Sequence, residues 1–150
     1  MKRSTAREVA MHIVFELDFN SERSAEVIGY RMSEEGFASF SDETEIYKDY
    51  PGDDQKPYIL RACNGVYEHM PELDGYLEKY SVKWSFDRIS KVSKSILRLC
   101  MFELLYMPEI PPKASINEAV ELCKKYDDEE LPAYVNGVLG AFMQHERSGF

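Results

Sequence analysis

No stretch of this 150-residue chain holds the roughly 18 consecutive apolar residues that a membrane-spanning helix needs. Cysteine is scarce: Cys63, Cys100 and Cys123 lie far apart and form no CxxC. An odd number without a pairing pattern points to reduced, buried thiols in a reducing compartment. The three histidines, His12, His69 and His145, are equally scattered, so no metal-ligand spacing exists and neither metal nor cofactor is expected. Period-2 alternation is missing over any useful length, which argues against sheet. A nucleophile–base arrangement, a Walker loop, GxGxxG, HExxH and an EF-hand loop are all lacking, so no enzyme is expected. Met1-Lys2-Arg3-Ser4-Thr5 has no apolar run of the signal-peptide kind, which makes a cytoplasmic location with no membrane partner the default.

What is present is a globular composition, 44% hydrophobic and 30% charged, of a length that suits one domain over 1–150. The net charge of −9 looks wrong for a nucleic-acid binder, but its distribution matters more than its sum. Residues 41–57 hold Asp42, Glu43, Glu45, Asp49, Asp53 and Asp54 against Lys48 and Lys56, a net −4. The run Asp127-Asp128-Glu129-Glu130 adds another −4. Residues 79–98 carry Lys79, Lys83, Arg88, Lys91, Lys94 and Arg98 against Asp87 alone, a net +5, and residues 1–8 are +2. The chain thus offers a polyanion two basic regions.

Apolar residues recur at helical spacing along the whole chain, predicting an all-α protein of about seven helices. Thr5-x-x-Glu8 reads as a capping box that opens a first helix running to about Phe19. A second spans about 25–37. Residues 38–57, acidic and interrupted by Pro51-Gly52, are expected to be a flexible connection and not a domain boundary. Further helices fit 58–69, 71–80 with Pro71 in its first turn, and 86–107, ended by Pro108, Pro111 and Pro112. A second capping box, Ser115-x-x-Glu118, opens the sixth, and the acidic run with Pro132 precedes the seventh, to about Met143.

Helical faces single out a few residues. In the first helix Ala6, Val9, Ala10, Ile13, Val14 and Leu17 form the core stripe, while Phe15 lies on the other side with Met11 and Arg7. An exposed aromatic near arginines suits single-stranded RNA, as a stacking plane beside phosphate contacts; packing under a neighbouring helix is the equal alternative. On 86–107, Ile89, Val92, Ile96, Leu99, Cys100 and Leu104 form an apolar stripe, with Arg88, Lys91, Lys94 and Arg98 opposite, either a solvated face or an RNA or partner contact. Glu103 falls on the apolar stripe and must be paired, as a structural anchor and not a catalytic acid. In the last helix Val135, Val138, Leu139 and Phe142 face inward, and Gly137 with Gly140 suggest close approach of another helix, since each glycine costs about 1 kcal/mol there.

Three stretches resemble the NusB family of transcription antitermination factors: the segment Asp87-Arg88-Ile89 to Glu103-Leu104, the segment Ser115-Ile116-Asn117-Glu118-Ala119-Val120-Glu121-Leu122, and Tyr134-Val135-Asn136-Gly137-Val138-Leu139. Ala6-Arg7-Glu8-x-Ala10 and Leu73-Asp74 fit as well, and the likeness covers nearly the whole chain apart from 38–57. The resemblance implies a compact helical bundle of two subdomains. It implies binding of boxA RNA together with NusE, a small-subunit ribosomal protein, so that RNA polymerase and other elongation factors, engaged indirectly, transcribe processively, notably through ribosomal RNA operons. By position it assigns RNA binding to Lys2, Arg3, Arg7, Phe15, Tyr80 and Tyr134. Departures are a thin arginine cluster, Ser93 where the family's NusE-facing site often has an acid, and a long acidic 41–57 segment; they imply more reliance on the partner.

Two other readings stand beside this one. One is a helical protein-interaction module without RNA binding that self-associates, as a homodimer for instance. The other is the NusB-like accessory domain of a ribosomal RNA methyltransferase, for which 150 residues leave no cofactor-binding domain.

Overall fold

In a computed structural model that describes residues 1–81, 86–127 and 131–146, the regular elements of the described residues are all helices and the chain divides into two units, Met1–Glu68 and His69–Phe150. Eight α-helices occur among the described residues: α1 (Arg3–Leu17), α2 (Ser24–Arg31), α3 (Glu34–Ala38), α4 (Lys56–Glu68), α5 (Met70–Tyr80), α6 (Lys91–Tyr106), α7 (Pro112–Tyr126) and α8 (Leu131–Glu146). The same residues contain no strand.

The first unit is built around α1, which packs on α4 and α2. All six residues of its expected core stripe are buried, and the Cys63 thiol of α4 donates to the Ala10 carbonyl at 3.7 Å. The helix begins at Arg3 with Lys2 as an N-cap that makes no side-chain bond, so Thr5 is a helical residue and the expected capping box does not operate. The expected second helix is two. Ser33 is extended and its hydroxyl accepts from the Gly36 amide at 3.0 Å, opening α3, while the same hydroxyl donates to the Tyr30 carbonyl at 2.7 Å. Only glycine fits at 36, because a Cβ there would lie 1.9 Å from the Tyr30 oxygen.

Residues 38–57, expected as a flexible connection, contain a 3-10 turn at Glu45–Tyr47 that buries Ile46 and Tyr47. Tyr47 meets Phe37, Phe40 and His12 ring to ring and accepts a hydrogen bond from Arg31 at 3.2 Å. Burial pushes the Tyr47 phenol up to about 12. Tyr50 donates to the Met32 carbonyl. Aromatic packing therefore gives an acidic stretch a place in the core.

In the second unit α6 packs against α5, α7 and α8, and is buried on every face from Ser93 to Leu104. That burial overturns the expected basic stripe. Arg98 is 3% exposed and holds Asp74 of α5, and Lys94 is also buried; only Arg88 and Lys91 are exposed. Glu103 is paired as expected, accepting from Ser115 of α7 at 3.0 Å. Ser115 therefore serves inside a helix that begins at Pro112, and the second expected capping box is likewise absent. Ser90 caps α6, accepting from the Ser93 amide at 3.0 Å. Val135, Val138, Leu139 and Phe142 of α8 are buried, but Gly137 and Gly140 are exposed with nothing within 4 Å of an added Cβ, so no helix approaches them closely.

The three cysteines form no disulfide and are buried, Cys63 in the first unit and Cys100 and Cys123 in the second. No helix among the described residues is long and apolar enough to cross a membrane.

Candidate nucleic-acid interface

The six residues assigned to RNA binding fall into two groups, one in each unit. In the first unit Lys2 is exposed at the start of α1. One residue on, Arg3 is half-buried, donates to Gln55 at 2.6 Å, and lies 4.2 Å above the Tyr58 ring of α4. Arg7, one turn further, is 4% exposed with its guanidinium 5.7 Å from the same ring. Tyr58 therefore gathers both arginines by cation–π contact. Lys2 is the exposed cation of this group, whereas Arg7 is buried. Phe15, read as an exposed aromatic, is half-buried and meets Phe19 edge-on at 5.2 Å, while Met11 and Arg7 on its side of the helix are both buried.

In the second unit the structure brings Tyr80 and Tyr134 into one groove. The groove encloses about 390 Å³, lined by Tyr80 from α5 and by Ala133, Tyr134, Gly137, Val138, Ala141 and His145 from α8. Its walls are aromatic and its floor is of small residues, so a flat ring can lie against α8 without meeting a Cβ at Gly137. Tyr134 is fixed by a hydrogen bond between its hydroxyl and that of Ser81, and burial raises its phenol above the ordinary value. Tyr80 is mostly buried, donates to Glu146, and stacks on His145 at 5.9 Å and 10°. Lys79 closes the cluster 2.8 Å from the same carboxylate, and its hydrogen bond, with that of Tyr80, holds Glu146 below the usual carboxylate range. The groove joins apolar, stackable surface to a charged rim, the chemistry that single-stranded bases require.

Sequence reasoning missed Tyr58, Gln55, Ser81, His145 and Glu146. Tyr58, Gln55 and Ser81 join through a neighbouring helix or turn, for which single-helix periodicity carries no signal, whereas His145 lies on the Tyr134 face of α8 eleven residues on, a spacing the sequence does show. The position expected to face a protein partner, Ser93, is fully buried and donates to Asp127 at 2.6 Å, as Ser90 does at 2.7 Å. The negative charge near the α6 N-terminus is thus delivered by the end of α7.

Comparison with known proteins agrees with this architecture. The NusB family profile matches residues 4–144. The chain is 35% identical over 146 residues to "Transcription antitermination protein NusB" of Lysinibacillus sphaericus (strain C3-41), covering 97% of this chain and 100% of that protein. It is 38% identical over 139 residues to the protein of the same name from Clostridium perfringens (strain SM101 / Type A), covering 93% and 94%. Its fold superposes with a TM-score of 0.73 at 27% identity on a chain of "Crystal Structure of Antitermination Factors NusB and NusE in complex with dsRNA", covering 95% of this chain and 96% of that one. A family profile spanning nearly the whole chain, and relatives covered along their full length and named for antitermination, leave one assignment: this chain belongs to the NusB family of transcription antitermination proteins.

Proposed function

We propose that this cytoplasmic chain binds boxA-type RNA together with the ribosomal protein NusE and so promotes processive transcription, notably of ribosomal RNA operons. RNA polymerase and the other elongation factors are reached through that assembly and not by direct contact. The observation that carries the reading is the pairing of Tyr80 and Tyr134 in one apolar groove, in a fold shared with a NusB solved alongside NusE and double-stranded RNA. A base stacked on a tyrosine contributes about 1–3 kcal/mol. Lys2 supplies a phosphate contact from the first unit, Arg3 leans on Tyr58 beside it, and Phe15 offers an aromatic edge. Arg7 acts by positioning, since its burial keeps it from the solvent side.

The test is fluorescence anisotropy of a boxA-containing RNA against a scrambled control, with and without NusE, across salt. The expected result is a preference for boxA that NusE strengthens and that Tyr134→Ala and Phe15→Ala weaken. Equal binding of both RNAs under every condition would sink the RNA role and favour a protein-interaction module that self-associates.

A further inference from the structure

The charged rim of the Tyr80 groove is filled by the chain's own carboxylate. Glu146, the last residue of α8, accepts hydrogen bonds from two consecutive residues at the end of α5. The Lys79 ammonium donates at 2.8 Å and the Tyr80 hydroxyl donates to the same oxygen. Tyr80 joins rim and groove, since its ring lines the groove while its hydroxyl holds the carboxylate. His145 lines the same groove with its ring parallel to that of Tyr80. Hydrogen bonding within the trio holds Glu146 below and Lys79 above their ordinary values, so both are charged in neutral solution.

An oxygen anion bound by a lysine and a tyrosine hydroxyl, beside an aromatic groove, has the chemistry of a phosphate next to its base. Carboxylate and phosphate oxygens accept from the same donors. While Glu146 is in place, Lys79 is neutralised and an incoming strand meets a carboxylate. Once Glu146 withdraws, Lys79 and Tyr80 offer a phosphate two donors. Lys79 is 61% exposed, and an ion pair with one member in water contributes little to stability, so exchanging one anion for another costs little. Glu146 ends its helix, where the chain opens most easily.

We infer that Lys79 and Tyr80 form the phosphate subsite of this groove and that Glu146 is its internal stand-in. A nucleotide of single-stranded RNA lays its base against α8 beside Tyr80 and Tyr134, and its phosphate takes the two donors from Glu146. Resting on the RNA assignment of the groove, the subsite adds a residue that restrains binding. An anion without a base has no stacking to set against the exchange, so Glu146 selects nucleotides over bare polyanions.

The test titrates the full-length ¹⁵N-labelled chain with adenosine and with adenosine 5′-monophosphate, following the amides of α8 and the end of α5. Glu146→Gln is expected to tighten the monophosphate roughly tenfold, the worth of a hydrogen bond to a charged group, and to leave adenosine unchanged. Lys79→Ala in the Glu146→Gln chain should abolish that gain. Unchanged adenosine binding verifies that the groove survives each substitution. A monophosphate affinity that Glu146→Gln leaves alone or weakens would overturn the subsite, as would a gain that persists without Lys79. So would the absence of shifts from either ligand at these amides. A gain seen with the monophosphate but not with a short single-stranded oligoribonucleotide would make the ligand a free nucleotide and end the RNA form of the proposal. The boxA preference is read separately: its loss strikes the RNA function, whereas its presence without a monophosphate gain strikes the subsite alone.

Discussion

Arg98 grips Asp74 with two hydrogen bonds, 2.7 Å from Nε and 3.0 Å from Nη2, and so ties α6 to α5. The guanidinium is 3% exposed while the carboxylate keeps a 26% exposed edge. Removing the acid takes the bidentate carboxylate from a buried cation, whose cost exceeds what the pair itself contributes. Asp74→Ala is therefore expected to destabilise the protein by about 3 kcal/mol, read as a lower urea midpoint. The double change Asp74→Leu with Arg98→Met should recover most of that loss; no recovery would mean that the pair stabilises in its own right.

Glycines at three positions should respond with opposite signs. Gly36→Ala puts a methyl into the Tyr30 carbonyl, which is backbone and cannot swing aside, so a loss of about 1–3 kcal/mol is expected. Gly29 and Gly140 lie in helices with open space around them, and alanine there should raise stability by up to about 1 kcal/mol each. Thermal unfolding of the three variants checks both directions.

Acidification should loosen the rim of the Tyr80 groove. Lys79 and Tyr80 hold the Glu146 carboxyl below its ordinary value of 4.5. A folded-state pKa below the unfolded one stabilises above the ordinary value, and that share is lost as pH falls through the depressed value. The difference in thermal midpoint between the parent and Glu146→Gln should be present at neutral pH and vanish in acid. A difference that persists below the ordinary carboxylate range would mean that charge is not what Glu146 contributes.

Lys2 and Arg7 should separate in an RNA titration. Lys2 is exposed, so Lys2→Ala is expected to lower the salt dependence of binding by about one phosphate contact without moving the thermal midpoint. Arg7 is buried against Tyr58, so Arg7→Ala should lower stability and leave the salt slope in place. A reversed result would put Arg7, and not Lys2, on the phosphate.

The residues that face inward were legible in the sequence, and the number of neighbours each helix has was not. The stripes on α1 and α8 came out as read, because amphipathic spacing reports one buried side directly. It fails for α6, where a helix packed on three others buries its polar side too and turns Lys94 and Arg98 from a surface stripe into interior groups. Both capping boxes misled for a local reason: Thr5 and Ser115 lie one turn inside helices that begin without a side-chain cap, while Ser33 and Ser90, in less conspicuous settings, do the capping. Glycine was read as a mark of close approach at 137 and 140, yet the approach occurs at Gly36, within a single turn of chain. Of the site, Phe15 and Arg7 stood out by face, Tyr80 and Tyr134 only through family likeness, and Tyr58 not at all.

The three thiols turn the molecule into its own stopwatch. Cys63 belongs to the first unit and Cys100 and Cys123 to the second, each shut away from solvent. Burial pushes the Cys63 thiol up, and raises Cys123 to about 11, so neither reacts until its surroundings open. A thiol reagent added to the native protein would therefore time the breathing of each unit separately, without any label being engineered in. Whichever unit RNA or a protein partner grips would be the one whose clock slows.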